Sequence, residues 1–194
     1  MSTPDPVPMY PIMLNVSDLT TFVVGADAAA ADRAAVLAEH GARRIVRFEG
    51  TLPTAADFAA HAPRLVFVTS ISNADKAAVR DLATAAGALV HVQDDIPRCD
   101  FHLPARLRRG KLLVTVSTDG AVAGLSRLVR DYLAHAVFGV EWAARVDELA
   151  QARRVWKSRG LTMNTLFEAI ADHVTGRGWL PRRPQRPTEA RNES

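Results

Sequence analysis

The sequence predicts an α/β fold, a parallel five-stranded sheet covered on both faces and followed by a helical region. Three observations predict it. Short apolar runs alternate with helical segments over the first two thirds of the chain. Those runs lack clean polar alternation, as strands buried on both faces do. Beyond Ser117 the strand pattern stops, and apolar residues recur at three-four spacing alone.

Thr21-Phe22-Val23-Val24-Gly25 is an apolar, β-branched run ending at glycine, the signature of a buried first strand. Ala28 to His40 follows as an Ala-rich helix that Gly41 stops. Arg44 to Phe48 is the second strand, Thr54 to Ala60 a short helix, and Leu65 to Thr69 the third strand. Asn73 to Ala86 reads as a helix capped by Ser72 or Asn73 and closed by Gly87. Ala88 to Gln93 is the fourth strand and Lys111 to Ser117 the fifth.

Three amphipathic helices come next. Leu125, Leu128, Val129, Tyr132, Leu133, Ala136 and Val137 form a broad apolar stripe. Trp142, Val146, Leu149 and Trp156 form a narrower one on the next helix. Met163, Leu166, Phe167, Ile170 and Val174 make the third, with Thr165 and Glu168 placed as a capping box. The sheet can cover one stripe and a partner subunit the others. Trp142 and Trp156 are expected as an exposed surplus.

The chain of 194 residues is 48% hydrophobic and 23% charged, which fits one ordinary domain or a sheet domain with a helical appendage. No apolar run reaches the roughly 18 residues of a membrane span, so no membrane partner is expected. Met1 to Pro11 lacks the basic and apolar pattern of a signal peptide. Cys99 is the only cysteine, which excludes an internal disulfide and a cysteine-rich zinc site. The cytoplasm is the expected compartment.

The formal charge is +3, with part of the excess in an Arg- and Pro-rich stretch from Arg177 to Arg191 that is expected to be a solvated, disordered tail. No nucleic-acid partner is expected. Arg98, Arg106, Arg108, Arg109 and Lys111 cluster around one loop, which suits a polycarboxylate or phosphate ligand.

Four segments carry candidate chemistry. Gly25-Ala26-Asp27-Ala28-Ala29-Ala30 joins strand to helix where a Rossmann fold places its dinucleotide. The fingerprint wants Gly at the first, third and sixth positions, with Ala allowed at the last. Gly25 and Ala30 comply. Asp27 brings bulk and negative charge to the point where the backbone approaches a pyrophosphate. On the loop alone, a dinucleotide site and a plain strand–turn–helix both stay open. Glu49 stands where a ribose-binding acid belongs, and Arg47 is close enough to meet a 2′-phosphate, so NAD and NADP also stay open.

His91 to Phe101 is the densest polar segment, directly after the fourth strand, where open α/β sheets bind ligands. An acid there can accept a proton or hold a metal; Asp94-Asp95 before Ile96-Pro97 is also an ordinary turn. Ser117-Thr118-Asp119-Gly120 precedes a helix and can form an anion site, or Asp119 can serve as its N-cap. The six histidines have no metal-binding spacing, and there is no Gly-x-Ser-x-Gly or Walker loop.

Taken together, these segments resemble the precorrin-2 dehydrogenase / sirohydrochlorin ferrochelatase family, the N-terminal module of siroheme synthases. Tyr10-Pro11-Ile12-Met13-Leu14-Asn15-Val16 is similar to the family's opening before its first strand. The most specific block reads His91-Val92-Gln93-Asp94-Asp95, Cys99-Asp100-Phe101, Pro104-Ala105, Arg108-Arg109-Gly110 and Val116-Ser117-Thr118-Asp119-Gly120. Order and spacing agree from about Tyr10 to Leu133. The departures are Asp27 for Gly, Ala29 for Val, Asp32-Arg33 for Arg-Lys, His91 for Asn, and Thr69-Ser70-Ile71-Ser72 for Ala-Thr-Asp-Asp.

The resemblance implies NAD-dependent oxidation of precorrin-2 to sirohydrochlorin, with ferrous-iron insertion in some relatives. It implies catalysis by Asp94, cofactor contacts from Gly25, Ala26, Asp27, Ala28, Glu49, Thr69 and Ser70, and tetrapyrrole contacts from His91, Arg108, Arg109, Ser117 and Thr118. It implies a homodimer built on the helices after the fifth strand. The expected organisation is a Rossmann NAD-binding-type domain over 10–117, a dimerisation helix region over 118–140, a C-terminal helical region over 141–178 and a tail over 179–194. The competing reading is a non-catalytic tetrapyrrole-binding paralogue that has lost efficient NAD binding.

Overall fold

The computed structural model of the chain describes residues 9–181. Most of the proposed tail, and the first eight residues, therefore lie outside the described residues. Two compact units result, one formed by residues up to 105 with 116–128, the other by 106–115 with residues from 129 onward.

In the first unit, β1 (Thr20–Val24), β2 (Arg44–Phe48), β3 (Leu65–Val68) and β4 (Leu89–Val92) form one parallel sheet in the order β2-β1-β3-β4. Its crossovers are α1 (Ala28–Glu39), α2 (Ala55–His61) and α3 (Asn73–Ala85). Side chains alternate across a strand, so apolar residues at consecutive positions face both ways. Phe22, Val24, Val66, Val68, Val90 and Val92 pack with Phe58 of α2 and with Val79 and Ala83 of α3. Val23, Leu65 and Phe67 face the other way, onto Ala30 and Leu37 of α1 and onto Val16. Register pairs Val24 with Phe48 and Val68, and Phe67 with His91, so the carboxyl ends of all four strands lie along one edge.

Local chemistry explains the helix starts. Thr54 and Asp57 form a reciprocal capping box on α2, and the Ser72 hydroxyl accepts from the Asp75 N–H at the start of α3. Asp27 caps α1 in the same way.

The expected fifth parallel strand is corrected. Leu112–Val116 (β6) pairs instead with Ala105–Arg109 (β5) in a separate two-stranded sheet. Gly110, with φ 55°, makes the first residue of a two-residue turn that sets these strands side by side. The run Ala105-Arg106-Leu107-Arg108-Arg109 has one large apolar residue, Leu107, and it is the buried one. Arginine on the remaining positions hides the strand from a search for apolar runs.

The helices after the hairpin are α4 (Ala123–Ala136), α5 (Trp142–Ser158) and α6 (Met163–Gly176). Trp142 is not an exposed surplus. It is buried, its indole N–H donates to the Val137 carbonyl at 2.8 Å, and it stacks edge-on against Phe138. Trp156 is half-buried, edge-on to His173, whose ring also meets Trp179. The cap of α6 is Thr162, whose hydroxyl accepts from the Thr165 N–H, and the box expected from Thr165 and Glu168 does not form. Among the described residues no helix is long and apolar enough to cross a membrane.

Candidate functional site

β1 has β2 on one side and β3 on the other, so the chain leaves it in opposite directions and opens a crevice at the carboxyl edge of the sheet. A cavity of about 290 Å³ lies there. Gly25 and Ala26 line it after β1, Phe48, Gly50, Thr51 and Leu52 at the end of β2, Ser70, Ile71 and Ser72 after β3, and Asp75 in α3. Small-molecule sites run from roughly 300 to 1,000 Å³, so this one stands at the lower edge of that range. Glu49 is outside the lining; it forms an ion pair with Arg47 at 2.6 Å, so the two candidates for reading the ribose engage each other.

Asp27, next in the chain after the lining residue Ala26 but itself outside the lining, is the N-cap of α1. Its Oδ1 accepts from the Ala30 N–H at 3.0 Å and from the Thr69 hydroxyl at 2.8 Å. The Ser70 hydroxyl first, then Thr69 and the Ala30 N–H, hold its carboxyl below the usual carboxylate range, so it is ionised at neutral pH. Thr69 is buried, and its own N–H donates to the Val24 carbonyl at 3.0 Å. Gly25, with φ 141°, is required by that hydroxyl: a Cβ there would stand 2.0 Å from Thr69 Oγ1. Two departures from the family pattern thus form one arrangement. The hydroxyl at 69 and the carboxylate at 27 are donor and acceptor of a single bond.

The loop after β4 is built differently. The Cys99 sulfur accepts from the Val92 N–H at 3.2 Å, and its thiol meets the carbonyls of Val92 and Asp95 at 3.2 and 3.3 Å. Burial pushes that thiol up, which makes it a small structural donor and not a nucleophile. Asp100 accepts from the Val90 N–H at 2.8 Å and is gripped by both guanidinium nitrogens of Arg80, one at 2.6 Å. Burial opposes its charge, but Arg80 and the Val90 N–H outweigh burial and hold the carboxyl low. Phe101 stacks edge-on against Phe67 at 5.5 Å. The Cys-Asp-Phe motif therefore pins a loop onto β4. Asp94, on that loop, adopts φ 59°, a left-handed conformation that Asp and Asn tolerate best after glycine, and its side chain is exposed. Its neighbour Asp95 is tied to Arg98.

His91 lies half-buried among Phe67 and Phe101. Burial pushes its pKa down, and its Nδ1 is 3.2 Å from the Phe101 carbonyl. A carbonyl only accepts, so the neutral ring carries its proton on Nδ1 and its lone pair on Nε2.

The other candidates are placed as follows. Ala28 is the first residue of α1. The Ser117 hydroxyl accepts from the Asp119 N–H at 3.1 Å, and the Thr118 hydroxyl accepts from the Val122 N–H at 3.1 Å and lies 3.3 Å from that of buried Ser126. Asp119, at φ 49°, is a turn residue and not the cap of α4. In the second unit, Arg109 donates to the Phe138 carbonyl at 3.0 Å, Lys111 pairs with Asp147 at 2.7 Å, and Arg108 is exposed. Sequence reasoning missed Asp75 and the stretch Gly50-Thr51-Leu52 of the cavity wall. The Ser72-x-x-Asp75 cap was the available signal for the first of these.

Residues 12–105 match the family described as putative NAD(P)-binding. A siroheme synthase of Actinobacillus pleuropneumoniae serotype 7 (strain AP76) is 32% identical over 106 residues, covering 48% of this chain and 22% of the relative. Another, of Neisseria meningitidis serogroup C (strain 053442), is 26% identical over 190 residues, covering 83% of this chain and 39% of the relative. A third, of Methylococcus capsulatus (strain ATCC 33009 / NCIMB 11132 / Bath), is 33% identical over 138 residues. The chain thus spans between about a fifth and two fifths of the length of these relatives. A solved structure, the precorrin-2 dehydrogenase SirC, shares the fold with a TM-score of 0.65 at 19% identity, covering 86% of this chain and 89% of its own. Residues 12–105 are thus similar to the putative NAD(P)-binding family, and the resemblance to the siroheme-synthase and precorrin-2 dehydrogenase group read from the motifs is borne out.

Proposed function

We propose that the chain catalyses the NAD-dependent oxidation of precorrin-2 to sirohydrochlorin in siroheme biosynthesis, in the cytoplasm. The observation that carries this reading is the loop after β4, where three motif residues fix the backbone and leave Asp94 exposed beside the carboxyl edge of a nucleotide-binding-type sheet. Its carboxylate is placed to accept the proton lost from the macrocycle. The cavity fits the adenosine half of NAD, with Gly25, Ala26 and Ser70 close to it. The diphosphate does not fit the loop as it stands, because Asp27 holds the anion position. When bound, the nicotinamide supplies the hydride acceptor. Ser117, Thr118 and His91 are assigned to the carboxylate-rich tetrapyrrole, and Glu49 to the ribose.

The proposal includes a homodimer. Leu125, Leu128 and Tyr132 fall on one stripe of α4 and are 48%, 70% and 67% exposed, an apolar surface that a second copy would cover. The region over 118–140 is assigned this role, 10–117 the nucleotide and substrate role, and 141–178 a helical support. Light scattering is expected to give twice the chain mass, and Leu128→Glu the chain mass.

Anaerobic incubation of the protein with precorrin-2 and NAD tests the reaction. One NADH per precorrin-2 oxidised supports it, and ferrous iron added to the same mixture tests metal insertion. Tetrapyrrole binding with no NADH, at protein stoichiometric with substrate, would favour the second reading, a tetrapyrrole-binding paralogue without efficient NAD binding. The bond between Asp27 and Thr69 is the observation on that side.

A further inference from the structure

We propose that the cavity at the ends of β1, β2 and β3 selects an uncharged nucleoside, and that Asp27 is the residue that sets this selectivity by standing in for the phosphate. The inference rests on the reading that this cavity is the cofactor site, and it names which half of the cofactor the site holds.

The wall supports an uncharged ligand. Phe48, Leu52 and Ile71 offer flat and aliphatic surface for a base, while Thr51 and Ser70 offer hydroxyls for a sugar. Among the described lining residues none is basic, and the only charged one is acidic Asp75, already bonded by the Ser72 hydroxyl at 2.7 Å. Arg47, the nearby cation on β2, is paired with Glu49. A phosphate would find no positive side chain in this wall.

What an open Gly-rich loop offers a phosphate is a helix start with free N–H groups. Here the Asp27 carboxylate receives the Ala30 N–H, and the Thr69 hydroxyl completes the cradle at 2.8 Å. An anion is thus built into the chain at the place where a ligand anion would sit. A phosphate entering the crevice must displace the carboxylate from its donors or lie beside it, and both oppose binding. A nucleoside has no phosphate and meets neither obstacle. The site therefore ranks ligands in the order opposite to that of an open loop. Adenosine binds more tightly than ADP, and NAD is held through its adenosine end with the diphosphate weakening it.

Calorimetric titration of the full chain with adenosine, ADP and NAD tests this, in wild type, Asp27→Gly and Asp27→Asn. The asparagine variant keeps a capping oxygen for Ala30 and removes only the charge, so it decides the matter if the glycine variant fails to fold. In wild type, ADP is expected to bind about tenfold more weakly than adenosine, an unfavourable charge contact of moderate strength. In both variants ADP affinity rises by about tenfold while adenosine stays within about twofold. Three results overturn the proposal: ADP binding wild type as tightly as adenosine, a ratio that neither variant changes, or no binding of adenosine. Failure of the functional reading is distinct. A variant that gains ADP affinity but never oxidises precorrin-2 leaves the selectivity standing and removes the reaction. Oxidation by a wild type that prefers NAD to adenosine does the reverse.

Discussion

The loops after β1 and β3 and the loop after β4 use the same kinds of residue for opposite ends. In the first region, the carboxylate of Asp27 and the hydroxyls of Thr69 and Ser70 bond one another and the helix start, so the polar groups are satisfied from within. In the second, Cys99 and Asp100 bond backbone groups of Val90, Val92 and Asp95, and Asp94 is left with no hydrogen bond to another described residue. The difference shows what makes a polar cluster available for chemistry. Binding and proton transfer need groups that the fold has positioned but not consumed. By that criterion the β4 loop leaves the Asp94 carboxylate uncommitted, and the loop after β1 is closed upon itself.

The largest expected effect tests the open side of the comparison. Asp94→Asn keeps a residue that tolerates φ 59° and removes the proton acceptor, so turnover should fall by about 10²–10⁴-fold with the thermal midpoint unchanged. Wild-type turnover in this variant would remove Asp94 from the mechanism. The alanine variant would add strain at the same position and is the poorer probe.

Asp100→Ala asks whether the motif holds the loop. It leaves Arg80 and the Val90 N–H without their acceptor, which should cost about 1–3 kcal/mol in urea unfolding. Turnover should fall with it, because the segment carrying Asp94 is no longer fixed. A stability loss with turnover unchanged would mean that the motif supports the fold and not the site.

A smaller effect concerns His91. Burial holds its folded pKa below the ordinary value of about 6.5, so between those two values the unfolded chain binds more protons than the folded one. Stability from the neutral ring is therefore fully present above about pH 6.5 and declines as pH falls through that window. His91→Asn should flatten the difference in urea midpoint between about pH 7.5 and 5. An undiminished slope would place the titration elsewhere.

Much of the sheet was legible because its strands are apolar on both faces: Phe22-Val23-Val24 and Leu65-Val66-Phe67-Val68 read the same way in any context. The hairpin was not, because β5 buries only Leu107 and presents arginine elsewhere, while β6 alone resembles one more parallel strand. The β4 motif was legible as a pattern, yet its division of labour between pinning residues and Asp94 depends on distances that spacing does not contain. Asp27 teaches the most. Its position in a glycine fingerprint drew attention to charge against a pyrophosphate. The local signal was simpler: an acid immediately before an Ala-rich helix is an N-cap. Its bond to Thr69 joins residues 42 positions apart and could come only from the fold.

The most direct measurement is the steady-state dependence of precorrin-2 oxidation on NAD in wild type and Asp27→Gly. If Asp94 is the proton acceptor as proposed and Asp27 opposes the diphosphate, the variant lowers KM for NAD by about tenfold while kcat holds, because the change relieves binding and leaves Asp94 alone. Equal KM values would contradict the role given to Asp27. Absence of oxidation in both proteins at saturating NAD would contradict the proposed reaction itself.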